Sequence, residues 1–544
     1  MPPQMPSRIR RKNAHSSRFS IGTFPSGAAA HATRWLARPD VDYLLDVKRQ
    51  SAGRAVLAID AGTTGVTCLV VGRDGGVRGR AYREITQHFP EPGWVEHDAD
   101  EIFDRTVEAA REALFAADTE VEALGITNQR ETILVWDRSS GRPLHRAIVW
   151  QDRRTAKRCA SLANEAKGIR RRTGLVLDPY FSATKLEWLL QEKNILKWRS
   201  GEEIAAGTID SWLIWRLTNG AVHATDHTNA SRTMLYDIGA RAWSPALCDL
   251  FDVPAEILPE VRPSSGDFGV AAATHFGREI PIRGVAGDQQ AALFGQGCWS
   301  PGLGKNTYGT GAFLLLNAGD QRPKASDGIL TTIACGPAGE PVYALEAAIF
   351  IAGAAVQWLR DGLGVISRAD ETEGLARSLE TNDGVYFVPA LVGLGAPWWQ
   401  PNARGTIVGL TRGTTKAHFA RAALEAMAHS TADVMESMAK SSKQKFERLR
   451  VDGGASANDW LMQFQADVLG VPVERPANIE TTALGAAALA GIAVGVWENG
   501  EEFLGVQDFS VFKPAMSAEH VGTLRQGWRR AVDTTLYWAK GQKE

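Results

Sequence analysis

Three short turns rich in glycine and hydroxyl side chains constrain the fold of this chain more than any other feature. The first, residues 61–65 (A-G-T-T-G), joins two apolar segments, 55–60 and 66–72, which predict a β-hairpin. The second turn spans 305–313 (K-N-T-Y-G-T-G-A-F), and the third spans 451–458 (V-D-G-G-A-S-A-N). Backbone N–H groups and hydroxyls in such turns can surround a phosphate group. The alternative is that glycine and threonine serve only the geometry of ordinary turns.

The positions of these turns in both halves of the chain predict two related lobes around one nucleotide. The first turn lies within residues 54–298, and the other two lie within residues 299–540. Strand-like segments adjoin the turns and a helix-like segment follows the third, so the predicted class is α/β. Two such lobes resemble the actin-like, or ribonuclease H-like, ATPases. The resemblance implies a nucleotide and substrate cleft between the lobes.

Residues 286–297 (A-G-D-Q-Q-A-A-L-F-G-Q-G) place a carboxylate where a strand passes into a helix. Val285 and Ala286 read as a strand end, and the alanine, leucine and phenylalanine that follow favour a helix. In α/β folds this junction is where a side chain can reach a ligand. Asp288 is therefore a candidate catalytic residue, and the alternative is a helix N-cap. The neighbouring Gln289 suits hydroxyl groups better than a metal ion.

The first 53 residues differ from the rest of the chain. No acidic residue occurs before Asp40, basic residues are frequent, and no periodic apolar face is present. This composition predicts a disordered basic leader over 1–53. An arginine- and serine-rich start is also similar to an organellar presequence, and the alternatives are an extension without function or an upstream start codon.

The composition of the whole chain narrows the class of protein. A formal net charge of -2 over 544 residues gives no general reason to bind nucleic acid or an anionic membrane. Five scattered cysteines without a C-x-x-C motif predict reduced thiols in a cytoplasm. The least polar run, 483–497, is broken by glycines and shorter than the roughly 20 apolar residues that span a bilayer. A cytoplasmic, soluble protein without an integral membrane segment is expected.

Five longer motifs carry a specific resemblance. They are I-T-N-Q-R-E-T at 126–132, A-I-V-W-Q-D-R-R at 147–154, D-P-Y-F-S-A-T-K at 178–185, A-G-D-Q-Q-A-A-L-F-G-Q at 286–296 and K-N-T-Y-G-T-G at 305–311. Together they resemble the glycerol kinases of the FGGY family of carbohydrate kinases. The resemblance implies in-line transfer of the γ-phosphoryl group of MgATP to glycerol. The product would be sn-glycerol 3-phosphate, in the first step of glycerol catabolism.

The same resemblance assigns individual residues of this chain. Asp288 would be the catalytic base, and Asp60 would hold Mg²⁺ through water. The glycerol-binding residues would be Arg130, Glu131, Trp150, Tyr180, Asp288, Gln289 and Phe313. The residues binding ATP would be Thr63, Thr64, Gly65, Thr310, Gly311, Gly353, Gln357, Gly454, Ala455 and Asn458. Glycerol and the phosphates would lie on the N-terminal lobe (54–298) and adenosine on the C-terminal lobe (299–540), in a homodimer or homotetramer.

These assignments have alternatives based on the residues alone. Arg130 and Glu131 could form a solvated surface pair, and Trp150, one of 17 tryptophans, could be a core aromatic. The function could instead be that of an FGGY kinase for another small polyol or a ketose. A rival from another class is an actin-like nucleotide-switch protein that has no small-molecule acceptor.

The first turn departs from the pattern that the resemblance implies. Glycerol kinases read D-Q-G-T-T-S-S-R there, whereas residues 60–67 read D-A-G-T-T-G-V-T. Gly65 thus replaces a serine, and Thr67 replaces an arginine expected to face the phosphates. A neutral hydroxyl loses most of a charge-assisted interaction, so weaker ATP binding, slower turnover or a different acceptor would follow.

Overall fold

The structure is a computed structural model that describes residues 53–191, 194–195, 200–324 and 328–540. The leader predicted over 1–53 lies outside the described residues, apart from Gly53. The strands are, in chain order, β1 (Ala55–Ala61), β2 (Gly65–Gly72), β3 (Val77–Glu84), β4 (Gln87–His88), β5 (Glu96–His97), β6 (Val121–Asn128), β7 (Ile133–Asp137), β8 (Ala147–Ile148), β9 (Ile204–Thr208), β10 (Ala224–Asp226), β11 (Tyr236–Asp237), β12 (Ala242–Trp243), β13 (Glu260–Arg262), β14 (Val270–Ala271), β15 (Ile280–Gly287), β16 (Leu303–Tyr308), β17 (Ala312–Gly319), β18 (Leu330–Cys335), β19 (Pro341–Ile349), β20 (Tyr386–Val388), β21 (Thr406–Val408), β22 (Arg448–Asp452), β23 (Val473–Pro476) and β24 (Phe509–Phe512).

Helices separate many of these strands along the chain. They are α1 (Ala99–Ala117), α2 (Ala156–Ser161), α3 (Ala166–Thr173), α4 (Ala183–Gln191), α5 (Ile209–Leu217), α6 (His227–Ala230), α7 (Pro245–Leu250), α8 (Ala273–Phe276), α9 (Asp288–Gly295), α10 (Gly353–Gln357), α11 (Glu371–Arg377), α12 (Lys416–Ser442), α13 (Asp459–Leu469), α14 (Thr481–Ala493), α15 (Gly500–Gly505) and α16 (Ala518–Lys540). None of these described helices is both long enough and apolar enough to cross a membrane.

The first large sheet has six strands in the order β14-β15-β6-β1-β2-β3. The predicted hairpin is present, because β1 and β2 pair antiparallel around residues 62–64. Strand β6 lies parallel to β1 on its other side, and β15 lies parallel to β6. Apolar side chains of these strands lie on both faces of the sheet. Helix α1 covers one face, and helix α14 covers the other. Because both faces are covered, the strands read as nearly continuous apolar runs.

The second large sheet repeats this local arrangement with different residues. Its seven strands run in the order β18-β19-β17-β16-β22-β23-β24. Strands β16 and β17 form an antiparallel hairpin, and β22 lies parallel to β16, as β6 lies parallel to β1. Helix α12 supplies much of the apolar cover of this sheet. The predicted α/β class, with a hairpin in each of two lobes, is confirmed.

Helix α14 packs on the first sheet although its sequence follows the second. It lies against β1, β6, β15 and the helix α9 that begins at Asp288. Two glycines allow the close approach of α9 and α14. A Cβ atom on Gly485 would overlap the backbone carbonyl oxygen of Ala291, and one on Gly295 would lie 2.7 Å from the Gly485 nitrogen. The position of Asp288 therefore depends on a backbone contact that only glycine permits.

Substitution Gly485→Ala tests this contact. We expect a loss of about 1–3 kcal/mol in the free energy of unfolding, because the added methyl group must push α9 away from α14. Urea denaturation monitored by circular dichroism measures the change. Gly522→Ala is the matched control, since Gly522 is helical and a Cβ atom there meets no other group within 4 Å. That control should be neutral or stabilising by up to about 1 kcal/mol, and equal losses in both variants would contradict the expectation.

Candidate active site

Asp288 is the first residue of helix α9, directly after strand β15. Gly287 occupies the N-cap position, so the interpretation of Asp288 as an N-cap is wrong. Its carboxylate oxygen Oδ1 accepts a hydrogen bond from the Gln289 backbone N–H at 2.6 Å and lies 3.1 Å from Arg130 Nε. The side chain is about one-third exposed, at 32%. A fixed, partly exposed carboxylate is therefore available to a ligand.

Arg130 and Glu131 lie on the loop after β6 and are buried, so they are not a solvated surface pair. The Arg130 guanidinium forms a two-point ion pair with Glu346, with Nη1–Oε2 and Nη2–Oε1 distances of 2.7 and 3.0 Å. Nη1 also donates to Gln290 Oε1 at 3.2 Å. These bonds hold the plane of the guanidinium in one orientation, with Nε 3.1 Å from the Asp288 carboxylate.

Arg130 and Glu131 belong to a buried cluster of charged residues that also contains Arg232 and Glu346. The last two are not among the residues predicted from the sequence. Arg232 is fully buried and donates through Nε to Glu131 Oε1 at 2.6 Å, and through Nη2 to Glu346 Oε1 at 3.1 Å. Glu346 lies on β19 of the second sheet, within the otherwise apolar segment P-V-Y-A-L-E-A-A-I. A lone carboxylate in an apolar strand is a signal that could have identified Glu346. Arg232 lies in no comparable pattern.

The charges of this cluster depend on one another. Burial would raise the pKa of Glu346, but Arg130 and Arg232 outweigh it and lower that pKa to about 2. Burial raises the pKa of Glu131, although the same two arginines act in the opposite direction. The pKa of Arg130 lies well above its ordinary value in spite of burial, because Glu346 and Glu131 face it. Glu346 is therefore the firmly ionised carboxylate of the cluster.

The predicted walls of the glycerol pocket lie beside this cluster. Trp150 donates from Nε1 to Thr63 Oγ1 at 2.9 Å, and its ring meets the Tyr180 ring edge-on at 5.6 Å. Trp150 thus links the first turn to Tyr180 and is only partly buried, unlike a core aromatic. Phe313, on β17, is also partly buried.

Gln289 contacts Lys305, a buried lysine that was not predicted as a site residue from the sequence. Lys305 Nζ donates to Gln289 Oε1 and to Thr307 Oγ1. Burial lowers the pKa of Lys305, and the nearby carboxylates of Asp452 and Asp288 act against that effect. Lys305 lies in the motif at 305–311, and its contact orients the amide of Gln289.

The first turn brings Thr63, Thr64 and Gly65 to the end of the β1–β2 hairpin, where Thr64 is exposed. Asp60 precedes the turn on β1. Burial raises the pKa of Asp60 to about 8, and the negative charges of Asp288 and Glu480 add to the effect. A partly buried carboxylate near two others would be stabilised by a cation.

The other two turns meet each other at the second sheet. A Cβ atom on Gly311 would lie 2.5 Å from the Ile349 carbonyl oxygen, and Gly453, at φ +83°, packs against the Tyr308 backbone. They border a cavity of about 530 Å³. Six of the residues predicted to bind ATP line it: Thr310, Gly353, Gln357, Gly454, Ala455 and Asn458. Gly311 lies in the turn but does not line the cavity.

The described residues contain no group of three or more His, Cys, Asp or Glu side chains arranged to hold a metal ion. Magnesium prefers hard oxygen ligands and keeps several of its waters when one or two carboxylates and substrate phosphates bind it. Desolvation and the negative charges of Asp288 and Glu480 raise the pKa of Asp60, and a cation beside Asp60 would oppose all three effects. Asp60 fits a Mg²⁺ ion that arrives with a nucleotide.

The fold and these residues are those of a sugar or polyol kinase with two lobes. The model of the FGGY carbohydrate kinase N-terminal domain matches residues 55–295, and the model of the C-terminal domain matches residues 304–494. The chain belongs to the FGGY family of carbohydrate kinases.

Several curated relatives are named glycerol kinase. This chain is 54% identical over 492 residues to the glycerol kinase of Dechloromonas aromatica, which covers 89% of this chain and 98% of the relative. It is 51% identical over 507 residues to the glycerol kinase of Rhodopirellula baltica, which covers 92% and 94% respectively.

Solved structures of kinases also match the fold of this chain. The glycerol kinase of Plasmodium falciparum with ADP matches with a TM-score of 0.85 and 34% identity, over 89% of this chain and 98% of that one. The gluconate kinase of Lactobacillus acidophilus matches at 0.80 with 22% identity over 89% of this chain and 98% of that one, which shows a shared fold alone.

Substitution Glu346→Gln tests the buried cluster. We expect a loss of about 3–5 kcal/mol in the free energy of unfolding at pH 7, because two buried arginines lose their shared carboxylate. The folded pKa of about 2 lies below the ordinary value of 4.5. The contribution of Glu346 is therefore fully present above pH 4.5 and is lost as the pH falls from 4.5 toward 2. Denaturant titrations between pH 7 and pH 3 measure this dependence.

Glu425→Gln provides a control with another buried carboxylate–arginine pair. Arg421 Nε donates to Glu425 Oε1 at 2.7 Å, but burial raises the pKa of Glu425 despite that contact. Its replacement should cost less, and its effect should not decline as the pH falls below 4.5. The same pH profile in both variants would contradict the special role of Glu346.

Proposed function

We propose that this protein transfers the γ-phosphoryl group of MgATP to a terminal hydroxyl of glycerol, giving sn-glycerol 3-phosphate. The single observation that carries the proposal is the carboxylate of Asp288, held 3.1 Å from Arg130 Nε at the start of α9. The relatives named glycerol kinase support the choice of acceptor, since they are 51–54% identical over most of this chain.

Asp288 orients the acceptor hydroxyl and takes its proton late in the reaction. In phosphoryl transfer the transition state is loose, so positioning and charge stabilisation matter more than a strong base. The contacts of Asp288 to the Gln289 N–H and to Arg130 suit this task, because they fix the carboxylate before the acceptor binds. No large movement of the side chain is then required.

Arg130 contributes mainly by position in this proposal. Of its five N–H groups, one faces Asp288, three donate to Glu346 and Gln290, and one on Nη2 has no acceptor among the described residues. One donor is therefore available for a glycerol hydroxyl. Glu131 and Gln289 add acceptors for hydroxyl protons, and Trp150, Tyr180 and Phe313 face the carbon atoms.

The nucleotide lies between the first turn and the cavity at the second sheet. Thr63, Thr64 and Gly65 contact phosphate oxygens from one side, and the turn at Thr310 and Gly311 contacts them from the other. The cavity of about 530 Å³ accepts the adenosine. Asp60 would hold Mg²⁺ through water, and the ion would supply positive charge against the phosphate oxygens. The boundary between the two lobes is proposed at residues 298 and 299.

Two other proposals concern the cellular location and the oligomeric state of the protein. A cytoplasmic location is supported by the five cysteines, all of which are buried free thiols. A homodimer or homotetramer is expected from the resemblance to glycerol kinases, and sedimentation velocity of the purified chain measures it.

A screen of acceptors separates glycerol from the alternatives within the family. Glycerol, other small polyols, ketoses and gluconate are each supplied with MgATP, and release of ADP is followed with a coupled assay. We expect the highest kcat/KM with glycerol. A higher kcat/KM for a pentulose would replace glycerol as the acceptor, and ADP release that no acceptor stimulates would favour a nucleotide switch.

Substitution Asp288→Asn should retain the fold and lose turnover by about 10²–10⁴-fold, because the proton acceptor is removed. Steady-state kinetics with glycerol and thermal unfolding measure the two effects. Asp104→Asn is the control, since Asp104 is exposed on helix α1. Turnover of Asp288→Asn within a few-fold of the unmodified enzyme would contradict the assignment of the base.

A further inference from the structure

The third strand of the first sheet brings a tyrosine hydroxyl to the turn that binds phosphate in the proposed function. Tyr82 lies on β3 directly opposite Thr67 on β2, and Thr67 lies directly opposite Asp60 on β1. Residues opposed in antiparallel strands point to the same face of a sheet. Asp60, Thr67 and Tyr82 therefore form one row across three strands, on the face that Asp60 shares with the proposed magnesium site.

The Tyr82 side chain fills the space next to Gly65. A Cβ atom on Gly65 would overlap the Tyr82 hydroxyl and would lie 2.5 Å from the ring carbon that carries it. The hydroxyl donates to the Thr64 carbonyl oxygen at 3.3 Å, and Tyr82 is 44% exposed. A phenol thus lies where a side chain at position 65 would begin, beside the exposed Thr64.

Arg80 places a positive charge on the same face. It lies opposite Leu69, which packs in the cluster with helix α14. Its Nη2 forms an ion pair at 2.8 Å with Oε1 of Glu480, the residue before α14. Arg80 lies two residues before Tyr82 on β3, so its side chain is on the same face of the sheet as Asp60 and Tyr82.

Other arginines of β3 do not share this position. Arg83 points to the opposite face, where it forms ion pairs with Glu108 and Glu112 of α1. Arg78 lies at the far end of the strand and pairs with Asp74. Arg80 is thus the arginine of β3 that lies on the face of Asp60, Thr67 and Tyr82, two residues from Tyr82.

We propose that Tyr82 and Arg80 form part of the nucleotide site, with the Tyr82 hydroxyl and the Arg80 guanidinium facing phosphate oxygens. The inference rests on the proposed function and extends the phosphate contacts from the β1–β2 hairpin to strand β3. The chain has glycine at 65 and threonine at 67, so the hairpin itself supplies no long polar side chain at either place. Strand β3 supplies the hydroxyl and the charge instead.

Binding of MgADP to the full chain, measured by titration calorimetry without glycerol, tests the inference. Arg80→Gln should weaken binding about tenfold, since a charge-assisted contact is lost. The difference should shrink when NaCl rises from about 0.05 M to about 0.5 M, because Arg80 is solvent-exposed and salt screens it. Tyr82→Phe should weaken binding about threefold through loss of one neutral hydrogen bond. KM for glycerol should change less than twofold in both variants.

Arg78→Gln and Tyr537→Phe are the matched controls. Arg78 is an ion-paired arginine on the same strand, and Tyr537 is 79% exposed on helix α16. Both controls should bind MgADP as the unmodified chain does. If Arg80→Gln and Tyr82→Phe also bind MgADP within twofold of the unmodified chain, the inference is wrong. It is equally wrong if they lose glycerol and MgADP affinity in parallel, because that result indicates a structural role.

Thr67→Arg supplies a test by rescue. In the Arg80→Gln background it should restore most of the lost affinity for MgADP, because it returns a cation to the same face of the sheet. In the unmodified background the gain should be clearly smaller, since Arg80 already provides the charge. Equal effects in both backgrounds would contradict the inference. Failure of the unmodified chain to bind MgADP would overturn the proposed function itself, whereas binding that neither variant weakens would overturn only this inference.

Discussion

The ion pair between Arg130 and Glu346 is the interaction on which the arrangement of the site depends. It connects the loop after β6 in the first sheet with strand β19 in the second, at 2.7 and 3.0 Å. Both side chains are buried, so neither charge can be left without its partner. Arg232 shares Glu346 with Arg130 and also holds Glu131. One carboxylate thus sets the orientation of two arginines and, through them, of Asp288 and Glu131.

The residues of the proposed site are contributed by both large sheets. In the proposed function, the elements at the end of the first sheet carry the base Asp288, the acceptor contacts Arg130 and Glu131 and one phosphate turn, while the acceptor wall Phe313 lies on β17 of the second sheet. The second sheet carries the other phosphate turn and the cavity of about 530 Å³. Glu346 on β19 and Lys305 on β16 are contacts of the second sheet with the acceptor side, so a change in the relation of the sheets would also move Arg130 and Gln289.

In the proposed function, the first turn binds phosphate although two of its residues differ from the glycerol kinase pattern. The hairpin keeps Thr63 and Thr64, while Gly65 and Thr67 lack the polar side chains that the glycerol kinase pattern implies. Tyr82 packs where a side chain at 65 would begin, and the Arg83 backbone carbonyl oxygen, 2.6 Å from a Cβ atom placed there, makes glycine at that position a steric requirement. The sheet register, rather than closeness in sequence, places Tyr82 and Arg80 beside the turn.

The sequence by itself determined the α/β class, the three glycine-rich turns and the strand-to-helix junction at Asp288. These features depend on local patterns, namely apolar runs of strand length and residues suited to tight turns, which a single stretch of chain contains in full. Glu346 and Arg232 were missed because each is far in sequence from the charged residues that it contacts, and Lys305 was missed because its contact with Gln289 joins two separate motifs. A buried charge has meaning only with its partner, and Glu346 lies 216 positions from Arg130. Only the tertiary structure decided these pairings, because the packing of two sheets and the exclusion of water make such distant charges neighbours.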